Sequence, residues 1–376
     1  MLARSIALRL AFTLTTIGVA EVLVLPQLTS AQQAGGEVYV MPVRGNVFMI
    51  VGGAGNITLS AGVDGLLLVD TGSAEMADKV LAKVQDIGHL VAGAPVRMTT
   101  CVGPQCYARG SVGPYTQYGW ASPSYNAIIS SPAPVKRIRW IIQTTIDPDR
   151  TGATPTLAAA GRSFGTLASN VAGNVADIAG FDEAQANVIG HEKLLLRMTR
   201  LNFPEGVWPR ETYYRETYKM SQYINGEGIQ MYHAAAVTDG DTLVYFRFSD
   251  VISAGDVYTP DRYPMLDLDK GGTVQGLIDG LNKIIEMAFP EFRSQGGTMI
   301  IPGHGRLSDT ADVAIYRNMA VIVRDRVQDL IEQGLSLQQV KAAKPTQDFD
   351  GIYGPAGKFI EAVYEDLTRV YRTGQR

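Results

Sequence analysis

The chain has 376 residues, 46% of them hydrophobic and 19% charged, with a formal net charge of −4. That balance is globular, and the length suits one large domain or two smaller ones. The mild acidity and the scattered lysines and arginines leave no basic stripe, which excludes nucleic acid as an expected partner.

Residues Met1–Ala31 read as a secretory signal: Arg4 and Arg9 precede the apolar stretch Leu10–Val19, and Thr29-Ser30-Ala31 is a small-residue cleavage site. An uncleaved anchor is the alternative, but Glu21 and Pro26 interrupt the roughly 20 apolar residues that a span needs. An exported protein, periplasmic or secreted, is therefore expected, with no membrane span in the mature chain. The segments EVYVMPVRGNVFMIVGG and NITLSAGVDGLLLVDTG alternate apolar and polar residues around glycine, as antiparallel strands do. Ser73 is expected to cap a helix with Met76, Val80, Val84 and Ile87 inward, stopping at Gly88.

Residues 92–134 form a Gly-, Pro-, Ser- and Tyr-rich inserted loop without a clear period. Its aromatics, Tyr107, Tyr115, Tyr118, Trp120 and Tyr125, either pack the loop down or wall a pocket. It also holds the only two cysteines, Cys101 and Cys106. Export favours a short-loop disulfide between them; a zinc pair is the rival, but no second Cys pair or nearby His completes four ligands.

IRWII at Ile138–Ile142 is a strand, Pro155–Ala160 opens a helix, and NVIGHE at Asn187–Glu192 is another strand end. The second half repeats the order, with strands IQMYHA, TLVYFRF and DVISAGDVY, a helix at Thr273–Ala288 and the strand TMIIPGHG at Thr298–Gly305. A long amphipathic helix from Asp309 to Gln333 turns Val313, Tyr316, Ala320, Val323, Val327 and Leu330 inward and ends at Gly334. Ser336 caps a short helix that Pro345 terminates. Two β-then-α halves imply α/β (α+β) architecture, a four-layer αβ/βα sandwich with helices outside two packed sheets.

Between IRWII and the next helix stands TTIDPDRTGAT, Thr144–Thr154. The spacing Thr145-x-Asp147-x-Asp149-Arg150 is that of His-x-His-x-Asp-His in the metallo-β-lactamase superfamily. Four further blocks follow the family order: LLLVDTG with Asp70, HAAAVTDGDTLVYF with Val237 at a ligand-histidine position, ISAGD with Asp256, and IIPGHG with His304; VIGHE matches a strand end without a ligand. The chain thus resembles the metallo-β-lactamase-fold hydrolases over about Glu37 to Gly305. The resemblance implies the four-layer sandwich as a domain at 37–310, with 311–376 a C-terminal helical extension packed on it. It also implies Asp70 as a structural acid beneath the site.

The ligand positions depart from the family. Zinc in this fold is held mainly by imidazole, yet the chain has four histidines, His89, His191, His233 and His304, and only His304 falls on a ligand position. His89 reads as solvated; His191 and His233 read as hydrogen-bonded core histidines beside the site. What remains is Asp147, Asp149, Asp256 and His304, the candidate ligands for one ion, with Thr145, Val237 and Asp70 in the same pocket. The cofactor is either none or one divalent cation (Mg, Mn, Ca or Zn). Arg150 reads as an internal cation in the place of one metal, pairing with Asp256 or Asp149; the alternative is that it points to solvent.

Two functions follow. One is a non-hydrolytic protein that binds an unknown small molecule. The other is a hydrolase of an ester, thioester or lactam with a rebuilt single-metal site, in which Asp149 and Arg150 are the catalytic candidates. A structural role resting on the long helix is a weaker third.

Overall fold

The computed structural model describes residues 36–93, 135–163, 185–220, 224–289 and 296–373. The amino-terminal segment 1–31, read above as a signal, most of the inserted loop and both cysteines lie outside them.

Seven strands form the first sheet in sequential order: β1 Tyr39–Arg44, β2 Val47–Gly53, β3 Gly55–Gly62, β4 Gly65–Val69, β5 Ile138–Ile142, β6 Asn187–His191 and β7 Glu211–Tyr213. Strands β1 to β4 pair antiparallel and β4 to β7 parallel. The second sheet has the order β12-β11-β10-β9-β8. Its strands are β8 Thr217–Lys219, β9 Ile229–His233, β10 Thr242–Phe246, β11 Val251–Gly255 and β12 Met299–Pro302.

Strand β4 shows why the layers form. Its side chains alternate across the sheet. Leu66 and Leu68 meet Val80 and Val84 of helix α1 (Ala77–Gly93), whereas Leu67 and Val69 meet Met231, Val244 and Phe246 of the second sheet. A strand buried on both faces reads as a continuous apolar run, as LLLV does. The outer face of the second sheet, through Leu243, Ile252 and Ile300, packs on α5 (Val274–Met287), α6 (Thr310–Glu332) and α9 (Gly357–Thr373). Helix, sheet, sheet and helix give the four-layer sandwich expected from the two halves.

The remaining helices are α2 (Pro148–Thr151), α3 (Thr154–Ala160), α4 (Glu192–Arg200), α7 (Leu337–Ala342) and α8 (Asp350–Tyr353). Asp309 caps α6 in a reciprocal capping box with Asp312. Two local expectations need correction. Ser73 precedes a short 3-10 turn, Ala74–Met76, without a side-chain capping bond. Helix α1 does not stop at Gly88 but runs on to Gly93. A Cβ at Gly88 would lie 2.5 Å from the Lys136 carbonyl oxygen, so this glycine lets the helix lie against the backbone entering β5.

Candidate functional site

The site lies where the strand ends of both sheets meet. Asp70 follows β4 in a left-handed conformation, φ 64°, and is fully buried. Its carboxylate accepts from the Thr144 amide at 2.8 Å and the Thr144 hydroxyl at 2.7 Å. After β5 the chain passes buried Thr144 and Thr145 into the single turn of α2, which opens with Pro148 after Asp147.

That turn drives Arg150 inward, and its side chain is 2% exposed. Nη2 donates to Asp70 at 2.5 Å; Nη1 donates to the carbonyls of Asn56 at 2.7 Å and Gly303 at 2.6 Å. Nε lies 3.7 Å from Asp256 Oδ1, and neither of these two atoms has a hydrogen-bond partner among the described residues. Space for the guanidinium comes from Gly55, where a Cβ would fall 2.5 Å from Nη1. One side chain thereby ties the start of β3, the end of β4 and the turns after β11 and β12. Burial alone would lower the pKa of Arg150, but Asp70 and then Asp256 outweigh it and raise it, so the charge is retained.

Asp256 and His304 face each other, Oδ1 to Nε2, at 3.8 Å. Burial pushes the Asp256 carboxyl up to about 6 against the pull of Arg150. Burial, reinforced by Arg150, pushes His304 down to about 3, so its imidazole is neutral near pH 7. These groups line a cleft of about 740 Å³ together with Asp147, Asp149 and Val237, a size suited to a small molecule.

Sequence reading offered Asp147, Asp149, Asp256 and His304 as candidate ligands for one ion, and the structure sets all four along the same cleft but with different partners. Asp147 pairs with Lys270 at 3.0 Å, and Lys270 also bridges Asp267 at 2.8 Å. Asp149 is exposed on the cleft wall and pairs with no described residue. Among the described residues, no group of three or more His, Cys, Asp or Glu is arranged to hold a metal. Of the two expected partners of Arg150, Asp256 forms the longer ion pair at 3.7 Å and Asp149 is not paired with it; the partner that sequence reading missed is Asp70, which holds it most closely. Thr145 is buried with its hydroxyl unpartnered among the described residues, and Val237 presents only methyl groups.

Two walls of the cleft escaped sequence reading. One is the loop Pro264–Lys270, with Met265 66% exposed. The other is α9, which sets Lys358, Glu361, Ala362, Glu365 and Arg369 on the cleft while burying Phe359, Ile360 and Val363. The helical spacing of KFIEAVYEDLTRV carries that division, but nothing in it says what the polar stripe faces. Beside the site, His191 and His233 stack at 3.9 Å with rings 7° from parallel. His89 is exposed.

No family model matches the chain, and no curated protein matches it. Solved structures do. The stereoselective inverting sec-alkylsulfatase Pisa1 from Pseudomonas sp. is 13% identical, with a TM-score of 0.56 over 89% of this chain and 51% of that one. A double mutant of the same sulfatase gives 13% identity and a TM-score of 0.55 over 88% and 50%. The DIM-1 metallo-β-lactamase is 12% identical, with a TM-score of 0.46 over 76% and 97%. The chain thus spans about half the length of the sulfatase it matches. Two packed sheets flanked by helices, the order of the strands and the likeness to the two sulfatase structures agree on one architecture: the chain has the metallo-β-lactamase fold.

Proposed function

We propose that the protein is a non-hydrolytic member of this fold, exported, whose cleft binds a small molecule. The observation that carries the reading is the buried Arg150 guanidinium, which stands at a ligand position of the family motif and makes its hydrogen bonds to Asp70, Asn56 and Gly303. Hydrolysis in this fold depends on metal ions that acidify water and polarise the scissile carbonyl or ester. The zinc pair that the fold implies does not fit the residues present. Arg150 cannot ligate, Val237 and Thr145 offer no imidazole, Asp147 is engaged by Lys270, and the guanidinium already supplies a positive charge between Asp70 and Asp256. The sulfatase and lactamase activities belong to the proteins named for them, and their transfer here would need metal chemistry that this donor set does not support.

A second reading, a single-metal hydrolase, rests on Asp256 and His304, the one carboxylate–imidazole pair in contact among the described residues. Elemental analysis of protein from zinc-supplemented culture, with turnover assays on ester, thioester and lactam probes, separates the two. The expected result is no stoichiometric pair of zinc ions and no turnover. Two tightly held zincs per chain would overturn the proposal, and one ion with chelator-sensitive turnover would select the second reading.

A further inference from the structure

The stacked histidines belong to no part of the reading above, yet hydrogen bonds join them to the cleft. His191 ends β6 in the first sheet and His233 ends β9 in the second, so the stack bridges the sheets. His233 Nε2 bonds the Asp239 carbonyl at 2.8 Å. The Asp239 amide donates to the Lys270 carbonyl at 3.0 Å, and Lys270 lies in the cleft wall. The Asp239 carboxylate accepts from Arg197 of α4 at 3.1 and 2.8 Å, and the same guanidinium donates to the Asp269 carbonyl at 2.9 Å. Gly271, at φ 82°, leaves room for this approach: a Cβ there would sit 2.8 Å from Arg197 Nη2.

We propose that the His191–His233 stack is a proton-operated latch that holds the Asp267–Gly271 wall of the cleft in place. This rests on the reading of the cleft as a ligand site. His191 serves the latch as an acceptor: its Nδ1 receives the Lys193 amide at the start of α4, at 3.4 Å. A protonated Nδ1 carries its own hydrogen and cannot accept. The imidazolium would also face the positive end of the helix, the Lys193 ammonium and the adjoining His233 ring. Two contacts favour the charge, first the Tyr214 backbone and then the Asp239 carboxylate, which Arg197 engages. Tyr213 packs edge-on at 4.9 Å and keeps its hydroxyl on Thr242 at 2.7 Å. Burial, and then the neighbouring His233 and Lys193, hold His191 neutral down to about pH 4. Protonation therefore releases the first turn of α4, and with it the Arg197 contacts on both sides of the wall.

The test is hydrogen exchange of the 264–272 segment in the full chain, corrected for intrinsic rates, between pH 7 and 4. Protection of this segment should fall at least tenfold toward pH 4 while β3 and β4 remain protected. His191→Asn keeps an acceptor on the helix but cannot titrate, so it should match wild type at pH 7 and lose the acid transition. His233→Gln removes the neighbouring imidazole that opposes a charge on His191 and should move the transition to higher pH. Unchanged protection to pH 4, global unfolding before the wall loosens, or a transition that survives in His191→Asn would each overturn the latch. Because the readout needs no ligand, a failed latch would leave the ligand-site reading to the metal and turnover assays.

Discussion

Replacing Arg150 by Met tests the centre of the site. The substitution keeps most of the side-chain volume and removes the charge and its donors. It strands the Asp70 carboxylate, fully buried, on the two Thr144 contacts alone. It leaves the Asn56 carbonyl without the guanidinium, while the Gly303 carbonyl keeps the Asn56 amide at 2.8 Å. Removing one partner of a buried ion pair costs about 3–5 kcal/mol. A stranded carbonyl costs about 1–3 kcal/mol in its own right, overlapping with the first figure and moving the expected loss to its upper end. A domain stable by about 5–15 kcal/mol would lose a large part of its margin. Urea unfolding at pH 7.5 measures this as a lower midpoint at unchanged slope. The loss should shrink toward pH 5, because Asp256, already pushed up to about 6, takes a proton more readily once Arg150 is gone. Millimolar Mg²⁺ or Mn²⁺ should recover part of it by binding the folded state alone. Arg150→Lys should fall between, since one ammonium cannot span the carbonyls and the carboxylate together. An Arg150→Met protein within about 1 kcal/mol of wild type at neutral pH, indifferent to divalent cations, would refute the reasoning.

Two other outcomes are expected. Asp241 is 2% exposed and accepts from the Thr238 amide at 2.8 Å and hydroxyl at 2.6 Å, and burial pushes its carboxyl up to about 8. Between about pH 4 and 8 the folded chain therefore holds a proton that the unfolded chain releases, so this contribution to stability is lost as pH rises through that window. Asp241→Asn should flatten the slope of unfolding free energy between pH 5 and 8 and be no less stable than wild type at pH 8; an equally steep slope would contradict the assignment. For Cys101 and Cys106, thiol titration of exported protein under denaturing, non-reducing conditions should find no free thiol, and two reactive thiols would exclude the disulfide.

Most of the frame was legible in the amino-acid order because its determinants are local. Alternation wrote the strands, IRWII matched β5 residue for residue, and the apolar stripe of Asp309–Gln333 named the inward face of α6. The blocks around Asp70, Thr145, Val237, Asp256 and His304 carried the fold because each is a short segment at a strand end. Partnership was not legible. Arg150 meets Asp70 from 80 positions away and Gly303 from 153, and the motif offered Asp149 and Asp256 as equally good partners. Only packing decided among them: α2 turns Arg150 toward the buried Asp70, whereas Asp149 is left on the rim. The capture of Asp147 by Lys270 and the turning of α9 to wall the cleft are of the same kind. A residue's own periodicity reports which face is apolar. The charge or cleft that its polar face meets depends on where distant segments come to rest, and at this site that choice separates a metal ligand from a salt-bridged wall.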